Sequence, residues 1–95
     1  MNVNKYELLY IISQDQTEEQ REALIEKFKA YVESKGGAVE GIDRWGMRKF
    51  AYPINFKNEG FYVLMNFTAS ADMVNEMNKL MNITEGVVRQ MFVAK

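Results

Sequence analysis

Residues 61–68, Phe61-Tyr62-Val63-Leu64-Met65-Asn66-Phe67-Thr68, decide the fold. They read as a β-strand whose two faces differ in chemistry, because successive side chains of a strand point to opposite sides. Phe61, Val63, Met65 and Phe67 form an apolar, core-like set, while Tyr62, Leu64, Asn66 and Thr68 share the other side. A strand of this kind sits inside a sheet that is packed on one face and open on the other.

Reading outward, residues 55–60 (Asn-Phe-Lys-Asn-Glu-Gly) are turn-rich and fit a hairpin. Before them, residues 38–54 read as one long strand carrying Gly41 and Gly46, which mark bulges or bends. Pro53 has no N–H to give a ladder, so this strand belongs at a sheet edge. After residue 68, Ser70 caps a helix with Asp72 in its first turn and an apolar stripe of Met73, Val74, Met77, Leu80 and Met81; Asn82 ends it. Gly86 precedes a last strand over residues 87–93.

Toward the N-terminus, residues 4–12 read as a strand with Tyr6, Leu8, Tyr10 and Ile12 on one face and Lys5, Glu7, Leu9 and Ile11 on the other. Apolar residues on both faces predict a central position. Thr17 and Gln20 form a capping box for a helix whose stripe is Leu24, Ile25, Phe28, Tyr31 and Val32, and Lys35 with Gly36-Gly37 stops it. The order β-α-β-β-α-β predicts an α+β, ferredoxin-like split βαβ fold: a four-stranded antiparallel sheet with two helices on one face. The first and third strands are expected in the centre, the second and fourth at the edges. The 95 residues, 47% of them apolar, are expected to make a single domain spanning residues 1–95.

The chain has no Cys and no His. That removes disulfides, Cys/His zinc sites, thiol nucleophiles and imidazole acid–base chemistry. The acidic residues of the first helix (Glu18, Glu19, Glu22, Glu26, Glu33) read as a solvated face, and there is no Gly-rich phosphate loop. No enzyme activity, cofactor, metal or small-molecule substrate is therefore expected. No apolar run approaches the roughly 20 residues of a spanning helix, and the first residues do not form a signal peptide. A cytoplasmic location and no membrane partner are expected.

Charge is uneven. The formal net charge is −1, yet residues 41–60 carry +2 against −3 for residues 1–40. The positive stretch is Arg44-Trp45-Gly46-Met47-Arg48-Lys49-Phe50-Ala51-Tyr52-Pro53-Ile54, which holds the only Trp and the only Pro. Cations interleaved with aromatics on an extended segment suit a ribonucleoprotein surface, where guanidinium and ammonium groups meet phosphate and rings stack. On an edge strand the same charges also block edge-to-edge aggregation. Leu9, Ile11, Tyr62 and Leu64 fall on the open sheet face by alternation and mark a partner surface, provided the register is right. Residues 60–67 faintly match the third-strand motif of RNA-recognition domains, which keeps an independent single-stranded RNA-binding module as an alternative.

From Asn4 to Val93 the chain resembles bacterial small-subunit ribosomal protein six. The resemblance rests on Tyr6-Glu7, on the run from Trp45 to Ile54, and on Gly60-Phe61-Tyr62-Val63-Leu64-Met65-Asn66-Phe67. It implies a structural ribosomal protein without enzyme activity. It also implies binding to the central domain of small-subunit ribosomal RNA and a heterodimer with small-subunit protein eighteen, in the ribosome of the cytoplasm. Carried onto this sequence, RNA contacts are expected from Lys5, Arg48, Lys49 and Arg89. Partner contacts are expected from Arg44, Trp45, Leu9, Ile11, Tyr62 and Leu64. Asn2 stands where the family often has Arg; some members carry an acidic C-terminal tail, whose role is not carried over to a sequence that ends at Lys95.

Overall fold

The computed structural model describes residues 4–54 and 57–95, with the side chains of residues 51–57 left aside. The elements run β1 (Asn4–Ser13), α1 (Glu18–Ser34), β2 (Ala38–Ile54), β3 (Lys57–Ala69), α2 (Ala71–Asn82) and β4 (Val87–Ala94). The strands form one sheet in the order β2-β3-β1-β4, with every neighbouring pair antiparallel. The ferredoxin-like expectation is met, with β1 and β3 in the centre.

The helices start where hydrogen-bond chemistry directs. Thr17 Oγ1 accepts from the Gln20 amide at 3.1 Å, and the Thr17 amide donates to Gln20 Oε1 at 2.8 Å, closing the capping box. Gly36, just past the end of α1, takes φ +87, a left-handed conformation that a side chain would penalise. Ser70 Oγ accepts from the Met73 amide at 3.3 Å and opens α2.

Between helices and sheet lies the core. Ile25, Phe28 and Val32 of α1 and Met73, Val74, Met77 and Met81 of α2 bury themselves against Tyr6, Leu8, Tyr10 and Ile12 of β1 and Val63, Met65 and Phe67 of β3. Leu24, Tyr31, Val39, Ile42, Phe61, Val87 and Phe92 pack against it as partly buried members. Phe67 is fully buried, stacked on Tyr6 at 5.9 Å and edge-on to Phe92 at 6.4 Å. Tyr10 meets Phe28 edge-to-face at 5.4 Å. Among the described residues the Tyr10 hydroxyl is the buried side-chain polar atom without a hydrogen-bond partner. Burial pushes its pKa well above the ordinary phenol value, because the phenolate loses its hydration.

One boundary differs from expectation. β3 starts at Lys57 rather than residue 61, and Glu59 and Gly60 already pair with Lys49 and Arg48. Asn58 and Gly60 have turn-like composition, but Gly60 serves the strand for a steric reason given below. The expected turn residues 55 and 56 lie outside the described residues. Pro53 falls within β2, which is an edge strand.

Phe67→Ala should cost about 3–5 kcal/mol, the usual range for emptying a buried aromatic site. Denaturant unfolding checks this; a loss under about 1 kcal/mol would mean that the β3 core face is misassigned. Tyr10→Phe should leave stability unchanged or raise it, because it deletes an unpaired buried hydroxyl and keeps the ring. A loss above about 1.5 kcal/mol would show that the hydroxyl makes a bond after all.

Candidate nucleic-acid and partner interface

The sheet face turned away from the helices is organised in rows by the register. Arg89, Ile11, Tyr62 and Gly46 lie side by side across the four strands. The next row is Met91, Leu9, Leu64 and Asp43, and the next is Val93, Glu7, Asn66 and Gly41. With neighbouring strands ~4.8 Å apart, each row spans about 14 Å. Leu9, Ile11, Tyr62 and Leu64 thus form an apolar square on the two central strands. Met91 and Val93 extend it along β4 and are 54% and 44% exposed. Alternation within residues 87–93 places them with Arg89, so β4 held a signal for both that the sequence reading left unused.

Three rings thicken the face at one corner. Trp45 stacks on Tyr62 with centroids 6.4 Å apart and planes 4° from parallel, and Phe50 leans on the same Tyr62 ring at 6.3 Å. The Arg48 guanidinium lies 5.8 Å from the Trp45 ring centroid. Trp45 itself remains 44% exposed. Gly60 makes this corner possible. A Cβ there would stand 2.8 Å from Phe50 Cζ and collide with Ile11 Cγ2. The missing side chain leaves a hollow shared by Ile11 and Phe50, and Ile11 is only 7% exposed although it lies on the uncovered face.

A bulge in β2 sets which residues face outward. Arg44 pairs with Val63 and Gly46 with Tyr62, so Trp45 is the extra residue between them. Gly46 takes φ +91, which only glycine adopts at low cost. The extra residue shifts the alternation. Met47 pairs with Phe61 on the helix side, Arg48 with Gly60 on the open side, and Lys49 with Glu59 on the helix side again. Arg48 therefore joins Trp45, and Lys49 leaves the same edge strand from the opposite face. Phe50 went unnoticed in the sequence because the bulge hides its phase.

Other expected site residues are spread out. Arg89 stands on the open face opposite Ile11. Lys5 is opposite Thr68, six residues along β1 from Ile11, or about 20 Å at strand spacing. Near that end the face is polar: Lys95 Nζ donates to Asn66 Oδ1 at 2.8 Å and lies 3.5 Å from Glu7 Oε2. Arg44 is on the other side of the sheet. Its Nε and Nη2 donate to the two Glu22 carboxylate oxygens at 2.9 and 2.8 Å, a bidentate pair between β2 and α1. That bond holds the Glu22 carboxyl below the usual carboxylate range and raises the Arg44 guanidinium further. Glu22, read from sequence as part of a solvated acidic face, thus has a specific partner.

Among the described residues no group of three or more His, Cys, Asp or Glu is placed to hold a metal ion, and no helix is long and apolar enough to cross a membrane. What this face offers is an uncovered apolar and aromatic surface with Arg48 and Arg89 at its margins.

Known proteins resemble this chain over nearly its whole length. The family profile described as ribosomal protein S6 matches residues 5–94. Small ribosomal subunit protein bS6 of Alkaliphilus metalliredigens is 48% identical over 91 residues, covering 96% of each chain. The protein of the same name from Caldanaerobacter subterraneus is 45% identical over 91 residues with the same coverage. The crystal structure of 30S ribosomal protein S6 from Thermotoga maritima superposes with a TM-score of 0.93 at 32% identity, over 99% of this chain and 89% of that one.

The hollow at Gly60 gives a test of sign. In an ordinary strand, Gly→Ala stabilises by removing backbone freedom from the unfolded chain. Here Gly60→Ala should instead destabilise by about 1–3 kcal/mol, because Ile11 and the Phe50 ring must move. Denaturant unfolding of the variant decides it, and a gain in stability would show that the hollow is not filled as described.

Proposed function

The chain belongs to the ribosomal protein S6 family, and we propose that within the small ribosomal subunit it binds the central domain of the ribosomal RNA jointly with small-subunit protein eighteen. The family is one of ribosomal proteins rather than enzymes, and its members act in the ribosome. In this reading residues 1–95 act as one domain in the cytoplasmic ribosome, as a scaffold piece without a cofactor.

The observation that carries the proposal is the uncovered face of the sheet, with Trp45, Met91 and Val93 exposed around the square of Leu9, Ile11, Tyr62 and Leu64. An apolar patch with an aromatic anchor and a cationic margin fits a protein interface that continues into a phosphate-rich one. The rings of Trp45 and Tyr62 are already stacked on each other. This supports a pre-formed anchor for a protein partner over a set of free platforms for bases. Phosphate contacts fall to cations at the edges: Arg48 and Lys49 on β2, Arg89 on β4, and Lys5 at the far end of β1. The net charge of −1 supports sharing, because a chain this neutral gains little affinity from phosphates unaided.

The test is the salt dependence of RNA binding. Alone, the chain should bind weakly: with two or three of these cations on phosphate, the slope of log affinity against log salt should be near −2, since each contact contributes about 0.7–0.9. With protein eighteen, binding should tighten greatly, and Trp45 emission should shift when that partner is added. Arg48→Ala with Lys49→Ala should flatten the slope of the ternary complex by roughly one to two units if both touch phosphate. An unchanged slope with weaker protein–protein binding would assign both to the partner. Tight binding of ribosomal RNA by the wild-type chain alone at physiological salt would overturn the shared-binding proposal.

A further inference from the structure

We propose that Glu22, on the helical side of the sheet and away from the candidate interface, is a positioning residue for that interface. By gripping Arg44 it fixes the bulge from which Trp45 reaches the partner protein and Arg48 leaves the strand beside it. The inference rests on the reading of the open face as the partner surface and adds a residue that does not touch it.

Three features carry it. First, the sheet holds the backbone around Trp45 from one side only. β2 is an edge strand paired on one side only, and its register with β3 breaks between Val39 and Gly41 and again between Arg44 and Gly46. Second, the residue just before the bulge is locked in place. Arg44 meets Glu22 through two hydrogen bonds of 2.8 and 2.9 Å, and a bidentate fork restricts rotation where a single contact would allow it. Third, the outward groups follow directly. Trp45 is the next residue, its ring lies 4° from the plane of Tyr62, and the Arg48 guanidinium lies over the same ring at 5.8 Å from its centroid. A tilt of the Arg44 backbone would move this whole arrangement.

Both charged groups of the pair are solvent-exposed, so the pair contributes little to global stability. Its effect falls instead on local order. An anchor held in its bound geometry before the partner arrives avoids the cost of ordering it during association.

The experiment uses the full chain with Glu22→Gln, Arg44→Gln and the charge-swapped double variant Glu22→Arg/Arg44→Glu. In the free protein, fluorescence anisotropy decay and near-ultraviolet circular dichroism of the single tryptophan report whether Trp45 is held. Both single variants should loosen Trp45 and weaken binding of small-subunit protein eighteen about three- to tenfold, with the thermal midpoint nearly unmoved, and the swap should recover much of the loss. Weaker binding by Arg44→Gln alone would mean that Arg44 touches the partner itself and would overturn the proposal. So would an undisturbed Trp45 in both single variants, or an affinity loss that only tracks lost stability. If the wild-type chain does not bind protein eighteen at all, the interface reading fails, and the tryptophan signals of the free variants still decide whether Glu22 positions Trp45.

Discussion

The pairing of β1 with β3 is the constraint on which the rest of the molecule depends. It runs unbroken from Asn4 opposite Ala69 to Ser13 opposite Gly60. This register puts Tyr6, Leu8, Tyr10 and Ile12 on the same side as Val63, Met65 and Phe67, which is the side both helices cover. It also puts Leu9 beside Leu64 and Ile11 beside Tyr62 on the uncovered side. A slip by one residue would exchange the two sets, exposing the core and burying Lys5, Glu7 and Asn66. The core and the candidate interface are thus two faces of one register, and neither can be altered along these strands without touching the other.

At the edge the constraint is looser, and the chain uses that freedom. β2 holds an extra residue at Trp45, and the altered phase divides neighbouring cations between faces. Arg48 goes to the aromatic corner, Lys49 to the far side, and Arg44 to a carboxylate on α1. Gly60 contributes in another way, by giving up a side chain so that Ile11 and Phe50 can settle over the backbone. Irregular positions in the edge strand and its partner therefore shape the surface as much as the regular ones do.

These details mark the boundary of what was legible in the sequence. Alternation in residues 61–68 and 4–12, and the caps at Thr17 and Ser70, identify elements whose physics is local, and their order yields the sheet topology. Leu9, Ile11, Tyr62 and Leu64 were placed on the open face by the same alternation. The phase of residues 47–50 was not legible, because a bulge announced by Gly46 has no position until a partner strand is known. Gly60 looked like a turn residue because composition cannot reveal that two side chains from elsewhere need its space. The tie between Glu22 and Arg44 spans two elements, and nothing local to either residue points to it.

The central place of β1 has a consequence for how the chain is made. β1 is synthesised first, yet its neighbours β3 and β4 come last among the strands. Asn4 cannot meet Ala69 until the residues between them have been added, which takes several seconds at translation rates of about 5–20 residues per second. During that interval a strand apolar on both faces has no ladder on either edge. The nascent chain thus carries a segment apolar on both faces without its strand partners for most of its synthesis. Leu8, Leu9, Tyr10, Ile11 and Ile12 wait without strand partners until β3 has been made.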